Sequence, residues 1–151
     1  MKKHIFQLAL AMFCINYAYS QKIIEMEKIN GTYQVPCKVN GIPMKFIFDT
    51  GASDVTISVT EAKFLLKQGL IAKEDFIQNT NYQIANGDII EGTKIYLKTI
   101  EIDGIILKNI PASIIYQQNA PLLLGQSAIE KLGPYEINNN KLTIKNFDKK
   151  S

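Results

Sequence analysis

From Thr32 the chain alternates apolar and polar positions, so that Val35, Cys37 and Val39 fall on one side of an extended run. Successive side chains of a strand point to opposite faces, and a period of two therefore predicts a half-buried β-strand. Asn40-Gly41 follows, and then a second run carrying Met44, Phe46 and Phe48. An Asn-Gly pair accepts the positive backbone angles of a tight turn, which makes the two runs a hairpin. The second strand ends in Phe46-Ile47-Phe48, apolar on both faces and so expected deep in the domain, and it delivers Asp49 at its end. Val55-Thr56-Ile57 predicts the next strand. Over residues 58–69 the period changes: Ala62, Leu65 and Leu66 recur at helical spacing, with Thr60 as candidate cap and Gly69 as stop.

Strand signals return at Tyr82. Residues 82–85, Asn86-Gly87 and residues 89–98 predict a second Asn-Gly hairpin, and residues 99–107 turn at Asp103-Gly104. Residues 110–116 and 122–124 predict further short strands. A short helix is expected over residues 127–132, ended by Gly133-Pro134, and a last hairpin joins residues 135–137 to 142–144. Many short strands with turn signals and one or two short helices predict a mainly β, barrel-like domain.

The two ends have a different character. Lys2 and Lys3 precede an apolar run over residues 5–15, and Ala18-Tyr19-Ser20 sets small residues three and one positions before Gln21. This is the pattern of a secretory signal peptide, expected to occupy residues 1–20 and to be cut after Ser20. The run is too short to span a bilayer, so the expectation is an exported protein, periplasmic or secreted, with no stable membrane insertion after cleavage. Residues 21–31 are an N-terminal extension, residues 32–146 the folded domain, and residues 147–151 a loose tail. About 130 residues suffice for one hydrophobic core and leave no room for two domains.

Charge and composition narrow the chemistry. Loss of Lys2 and Lys3 lowers the formal charge from +3 to +1, and every basic side chain is Lys. Without Arg the planar clamp for phosphates and base edges is missing, and no nucleic-acid partner is expected. The only His is His4, inside the signal segment, and one cysteine, Cys37, lies beyond it. A Ser-His or Cys-His nucleophile and a Cys/His zinc site are thereby excluded, so neither metal nor other cofactor is expected. Cys37, in an alternating apolar stretch, reads as a buried structural thiol, with an intermolecular disulfide left open. Carboxylates remain.

Asp49-Thr50-Gly51-Ala52-Ser53 sits between an apolar strand and a β-branched one, a frame that a surface turn does not need. An Asp leaving an apolar strand is partly desolvated, which favours its protonated form. Gly51 permits close backbone approach, while the Thr50 and Ser53 hydroxyls are candidates to anchor the loop and its carboxylate. The tripeptide alone is weak evidence; its frame gives it weight.

With these parts in place the sequence resembles the retropepsin-like aspartic peptidases of the bacterial branch. Phe46-Ile47-Phe48-Asp49-Thr50-Gly51-Ala52-Ser53 is similar to the family's catalytic loop, and Ala85-Asn86-Gly87 to the turn of its flap hairpin, with Ile84 where relatives often carry Thr. Leu123-Leu124-Gly125, with Ile129 and Leu132, is similar to the element that closes the fold behind the loop. The resemblance covers residues 32–145. It implies a closed β-barrel with a flap, in which Asp49 is catalytic, residues 50–53 support it, residues 84–87 cover a peptide substrate, and Leu123, Leu124 and Gly125 brace the loop. It implies further that two carboxylates share one proton and activate a water between them. No other Asp is followed by Thr-Gly or Ser-Gly, so the second carboxylate must come from another copy, in a homodimer with one Asp49 from each chain at its axis. The loop of residues 49–53 and a terminal strand at residues 142–144 are the expected interface. Two rivals stand beside this reading: a glycosidase pairing Asp49 with Glu91 or Asp88 in one chain, and a non-catalytic peptide-binding or dimerisation module.

Overall fold

The computed structural model describes residues 20–84 and 86–145. Residues 1–19 of the expected signal segment, the tail over residues 147–151, and Ala85 of the flap turn lie outside the described residues. The chain runs through β1 (Lys22–Glu25), β2 (Glu27–Ile29), β3 (Thr32–Val39), β4 (Ile42–Phe48) and β5 (Val55–Ser58), then α1 (Val59–Lys67). It continues with β6 (Phe76–Gln83), β7 (Ile89–Ile102), β8 (Ile105–Ile115), β9 (Leu123–Leu124), α2 (Gln126–Ile129), β10 (Tyr135–Asn138) and β11 (Lys141–Ile144). This is the mainly β domain with two short helices that the periodicity predicts.

Eight strands form one sheet in the order β2-β3-β4-β9-β5-β8-β7-β6. β3 also meets β7 through Lys38↔Glu101 and Val39↔Ile100, so six of the strands curl round into a barrel whose seam is only two residues long. Phe46, Ile57, Ile95, Leu97, Ile110 and Leu124 fill the interior and are fully buried. Each contributes on the order of 1.5–3 kcal/mol relative to exposure. Cys37 lies in the same core, and burial pushes its thiol from its ordinary 9.0 up to about 12.

The turns follow the local chemistry. Asn40 (φ 47°) and Gly41 (φ 89°) join β3 to β4, and Asp103 (φ 46°) and Gly104 (φ 83°) join β7 to β8. Both dipeptides sit in the left-handed region that matches strand twist. Asn30-Gly31 (φ 49° and 82°) makes a third such hairpin between β2 and β3, within the stretch treated as an extension. β1 adds to the C-terminal hairpin to form a sheet ordered β1-β11-β10, and Ile24 and Met26 enter the core.

Three readings are corrected. The cap of α1 is Ser58, whose Oγ accepts from the Thr60 amide at 3.0 Å, so Thr60 lies inside the first turn. β6 begins at Phe76, six residues before the expected start, because Phe76–Gln83 pairs along β7 and is held by its neighbour despite a polar sequence. Finally, β11 has β1 on one edge and β10 on the other, and Leu142 and Ile144 are buried. That strand therefore has no free edge to offer a second chain.

Candidate active site

β4 runs parallel to β9 with Ile47↔Leu123 and Phe48↔Leu124 in register, and this pairing sets the exit of the chain at Asp49. The Ile47 amide donates to Leu122 O at 2.9 Å and the Asp49 amide to Leu124 O at 3.1 Å. Leu124 is fully buried, so the backbone beneath Asp49 is tied to the core. Phe48 packs edge-on against Tyr135, ring centroids 5.6 Å apart. Asp49 itself is half-buried, and its Oδ1 accepts from the Gly51 amide at 2.9 Å.

The rest of the loop is held through its own backbone groups rather than its own hydroxyls. Gln126 and Ser127 amides donate to Ala52 O at 2.8 Å and Ser53 O at 2.9 Å, and the Gln126 side chain donates to Thr50 O at 2.9 Å. Ser127 Oγ accepts from the Val55 amide at 2.9 Å and donates to Pro111 O at 2.7 Å. The Thr50 and Ser53 hydroxyls make no hydrogen bond among the described residues, so the anchoring expected of them falls to Gln126 and Ser127. Those two side chains carried no motif in the sequence. Gly125 makes the contact possible: a Cβ there would lie 2.2 Å from Asp54 O and 2.7 Å from Ala52 O.

Asp49, Gly51, Ala52 and Ser53 line one side of a cleft of about 960 Å3, and Ile84, Asn86 and Gly87 line it from the hairpin of β6 and β7. In that hairpin the Gly87 amide donates to Ile84 O at 2.8 Å and Ile84 N to Asp88 O at 2.9 Å. Gly87 has φ 91°, and Asn86 closes the turn through Asp88, accepting from its amide at 3.0 Å and donating to its carboxylate at 2.7 Å. The structure thus brings Asp49, Gly51, Ala52 and Ser53 and the described hairpin residues to one cleft that Leu123 also lines, while Thr50 does not line it and Leu124 and Gly125 lie behind the loop.

A second carboxylate in the cleft went unnoticed in the sequence. Asp54 Oδ2 meets Lys94 Nζ at 3.1 Å and accepts from Ser113 Oγ at 3.1 Å. The hydrogen bond and the charge of Asp54 hold the Lys94 ammonium above its ordinary range. Neither Glu91 nor Asp88, the partners a glycosidase reading needs, lines the cleft with Asp49. Another hollow of about 600 Å3 lies beside β1, and two of its three acids, Asp103 and Glu101, are engaged by Lys22 and Lys38 at 2.9 Å, the third being Glu25.

An Asp carboxylate at the mouth of a buried strand, steadied by a glycine amide and faced by a hairpin across a cleft, is an arrangement suited to holding a water against an extended peptide. Among solved structures the fold is similar to that of a retropepsin-like aspartic protease from Rickettsia conorii, with a TM-score of 0.61 and 27% identity over 82% of this chain and 98% of that one. The class is therefore the retropepsin-like fold. The sequence pattern of the family described as gag-polyprotein putative aspartyl protease matches residues 35–131, and the chain belongs to that family. No curated protein sequence matches the chain.

Proposed function

We propose that the protein is an aspartic endopeptidase in which Asp49 carboxylates from two copies of the chain hold one proton between them and activate a water. The observation that carries this reading is the seating of Asp49: its amide is tied to the buried Leu124, its Oδ1 to the Gly51 amide, and its cleft is faced by the β6–β7 hairpin. One carboxylate removes a proton from the water as it attacks the peptide carbonyl, and the protonated partner donates toward the carbonyl oxygen. Like charges so close do not both ionise, so the pair titrates as a unit and activity belongs to acidic or mildly acidic pH.

The second carboxylate has to come from outside the chain. Asp54, the other acid lining the cleft, is occupied with Lys94 and Ser113. A two-fold partner meets the need, and the exposed residues Thr50 and Gly51 are where loops of two copies meet. Because β11 is flanked on both sides, strand addition between copies falls to the outer edges of β1 and β10. In this reading residues 84–87 cover the bound peptide, residues 1–20 direct export to the periplasm or beyond, and residues 32–146 are the peptidase domain.

The test is cleavage of a peptide library by purified protein, beside Asp49→Asn. Hydrolysis by wild type and none by a folded Asp49→Asn supports the reading. Equal turnover by both removes it, and peptide binding with no turnover by wild type assigns the fold to a binding module instead.

A further inference from the structure

Tyr82, on β6, is half-buried in the wall of the cleft, and its ring lies on the bare backbone of Gly92: a Cβ on Gly92 would come within 2.9 Å of the ring and 2.4 Å of Ile114 O. The missing side chain leaves a path by which Tyr82 reaches from the hairpin toward the strands carrying Ser113 and Lys94. Its hydroxyl is sealed from solvent and has no hydrogen-bond partner among the described residues. A phenol buried in this way normally finds one.

The surroundings supply an acceptor. Asp54 and Ser113 line the cleft with Tyr82, and Lys94 is paired with Asp54. Burial raises the phenol's pKa, the Ser113 side chain and the charge of Lys94 lower it, and the charge of Asp54 raises it. Ser113 donates to Asp54 Oδ2, and its oxygen, which keeps lone pairs free to accept, does not meet hydrogen-bond geometry with the phenol. Lys94 also contacts Oδ2, and Oδ1 accepts nothing among the described residues. A buried donor without a partner and a carboxylate oxygen that faces solvent therefore lie on one wall of the cleft, one carried by the hairpin and the other by the loop that begins at Asp49.

We propose that Tyr82 is a positioning residue that joins the hairpin to the Asp49 loop: when a peptide occupies the cleft, its hydroxyl donates to Asp54 Oδ1. Tyr82 and Asp54 both line the cleft, so a bound chain pressing on the ring has the means to shift it along Gly92. The bond that forms is charge-assisted and adds to the affinity for any peptide that fills the cleft. It recovers the penalty that the free protein carries for an unpaired donor. The inference rests on the peptidase reading for its substrate, and on the Tyr82–Asp54 corner for its content.

The experiment compares wild type, Tyr82→Phe, Asp54→Ala and the double variant, using a peptide that wild type cleaves. Tyr82→Phe keeps the ring on Gly92 and removes only the hydroxyl. It should raise KM about tenfold, the worth of one hydrogen bond to a charged group, with kcat within about twofold. Its unfolding temperature without peptide should not fall, since the hydroxyl has no partner to lose. In the Asp54→Ala background the Tyr82→Phe effect on KM should disappear. The proposal is overturned by unchanged KM in Tyr82→Phe, by a lower unfolding temperature in the free protein, or by effects that simply add. A wild type that cleaves nothing removes the peptidase reading and this one with it, whereas an active wild type with indifferent Tyr82→Phe kinetics removes this one alone.

Discussion

Replacing Gly125 by Ala tests how the Asp49 loop is held. The added Cβ would lie 2.2 Å from Asp54 O, 2.6 Å from Asp54 C and 2.7 Å from Ala52 O, all backbone atoms with no flexible end to move aside. Ordinary contact begins at 3.4 Å, so loop and helix must part by about 1.2 Å, the difference between 3.4 and 2.2. The backbone of Gly125 has φ −91°, which alanine adopts without strain, so the effect is purely one of space. Parting them stretches the Gln126-to-Ala52 and Ser127-to-Ser53 hydrogen bonds, now 2.8 and 2.9 Å. Overpacking costs about 1–3 kcal/mol, and two weakened hydrogen bonds add about 0.5–1.5 kcal/mol each, for a loss of roughly 2–6 kcal/mol. In a domain of this size that lowers the unfolding temperature by about 10–20 °C. Because the shift lands between Asp49 and its brace, peptide hydrolysis should fall on the order of 100-fold even at temperatures where the variant is folded. Thermal unfolding by circular dichroism, with hydrolysis measured well below the transition, reads both. A Gly125→Ala protein within about 3 °C of wild type and equally active would mean that the helix does not brace the loop as described.

Asp49→Asn should abolish hydrolysis with no drop in unfolding temperature, since the amide keeps the shape and still accepts from Gly51; turnover by the folded variant would refute the role of Asp49. Gly87→Val should impair hydrolysis more than stability, because φ 91° resists a β-branched residue while nothing lies within 4 Å of the added Cβ; a collapse of the unfolding temperature with activity per folded molecule intact would refute the flap role. Activity per subunit should fall as protein is diluted through its dimer dissociation constant, and added Asp49→Asn chains should poison wild type; full activity in a sample monomeric by sedimentation would refute the shared site. Cys37 predicts a loss of stability in alkali: its folded thiol holds its proton up to about 12 whereas the unfolded thiol releases it near 9.0. Its contribution is therefore complete below 9 and lost as pH rises toward 12, about 1.4 kcal/mol between pH 8 and 10. Urea unfolding at those two values should show this loss in wild type and not in Cys37→Ala.

The elements that local chemistry determines were legible in the sequence. Asn40-Gly41 and Asp103-Gly104 turn where they do because only such pairs enter the left-handed region cheaply, and the alternation of Val35, Cys37 and Val39 places them in the core because strand side chains alternate. Asp49 stood out because Asp49-Thr50-Gly51-Ala52-Ser53 sits between the apolar strand Phe46-Ile47-Phe48 and a β-branched one, a frame that a surface turn does not need. What the chain alone did not reveal depends on partners distant along it. The polar run Phe76–Asn81 is a strand only because β7 lies beside it. Residues 22–25 belong to the fold only because β11 returns to pair with them. The brace from Gln126 and Ser127, the enforced glycine at 125, and the cleft wall that Tyr82 shares with Asp54 and Ser113 all join residues from separate strands, loops and helices. No periodicity records such meetings, because the distances that define them exist only once the sheet has closed.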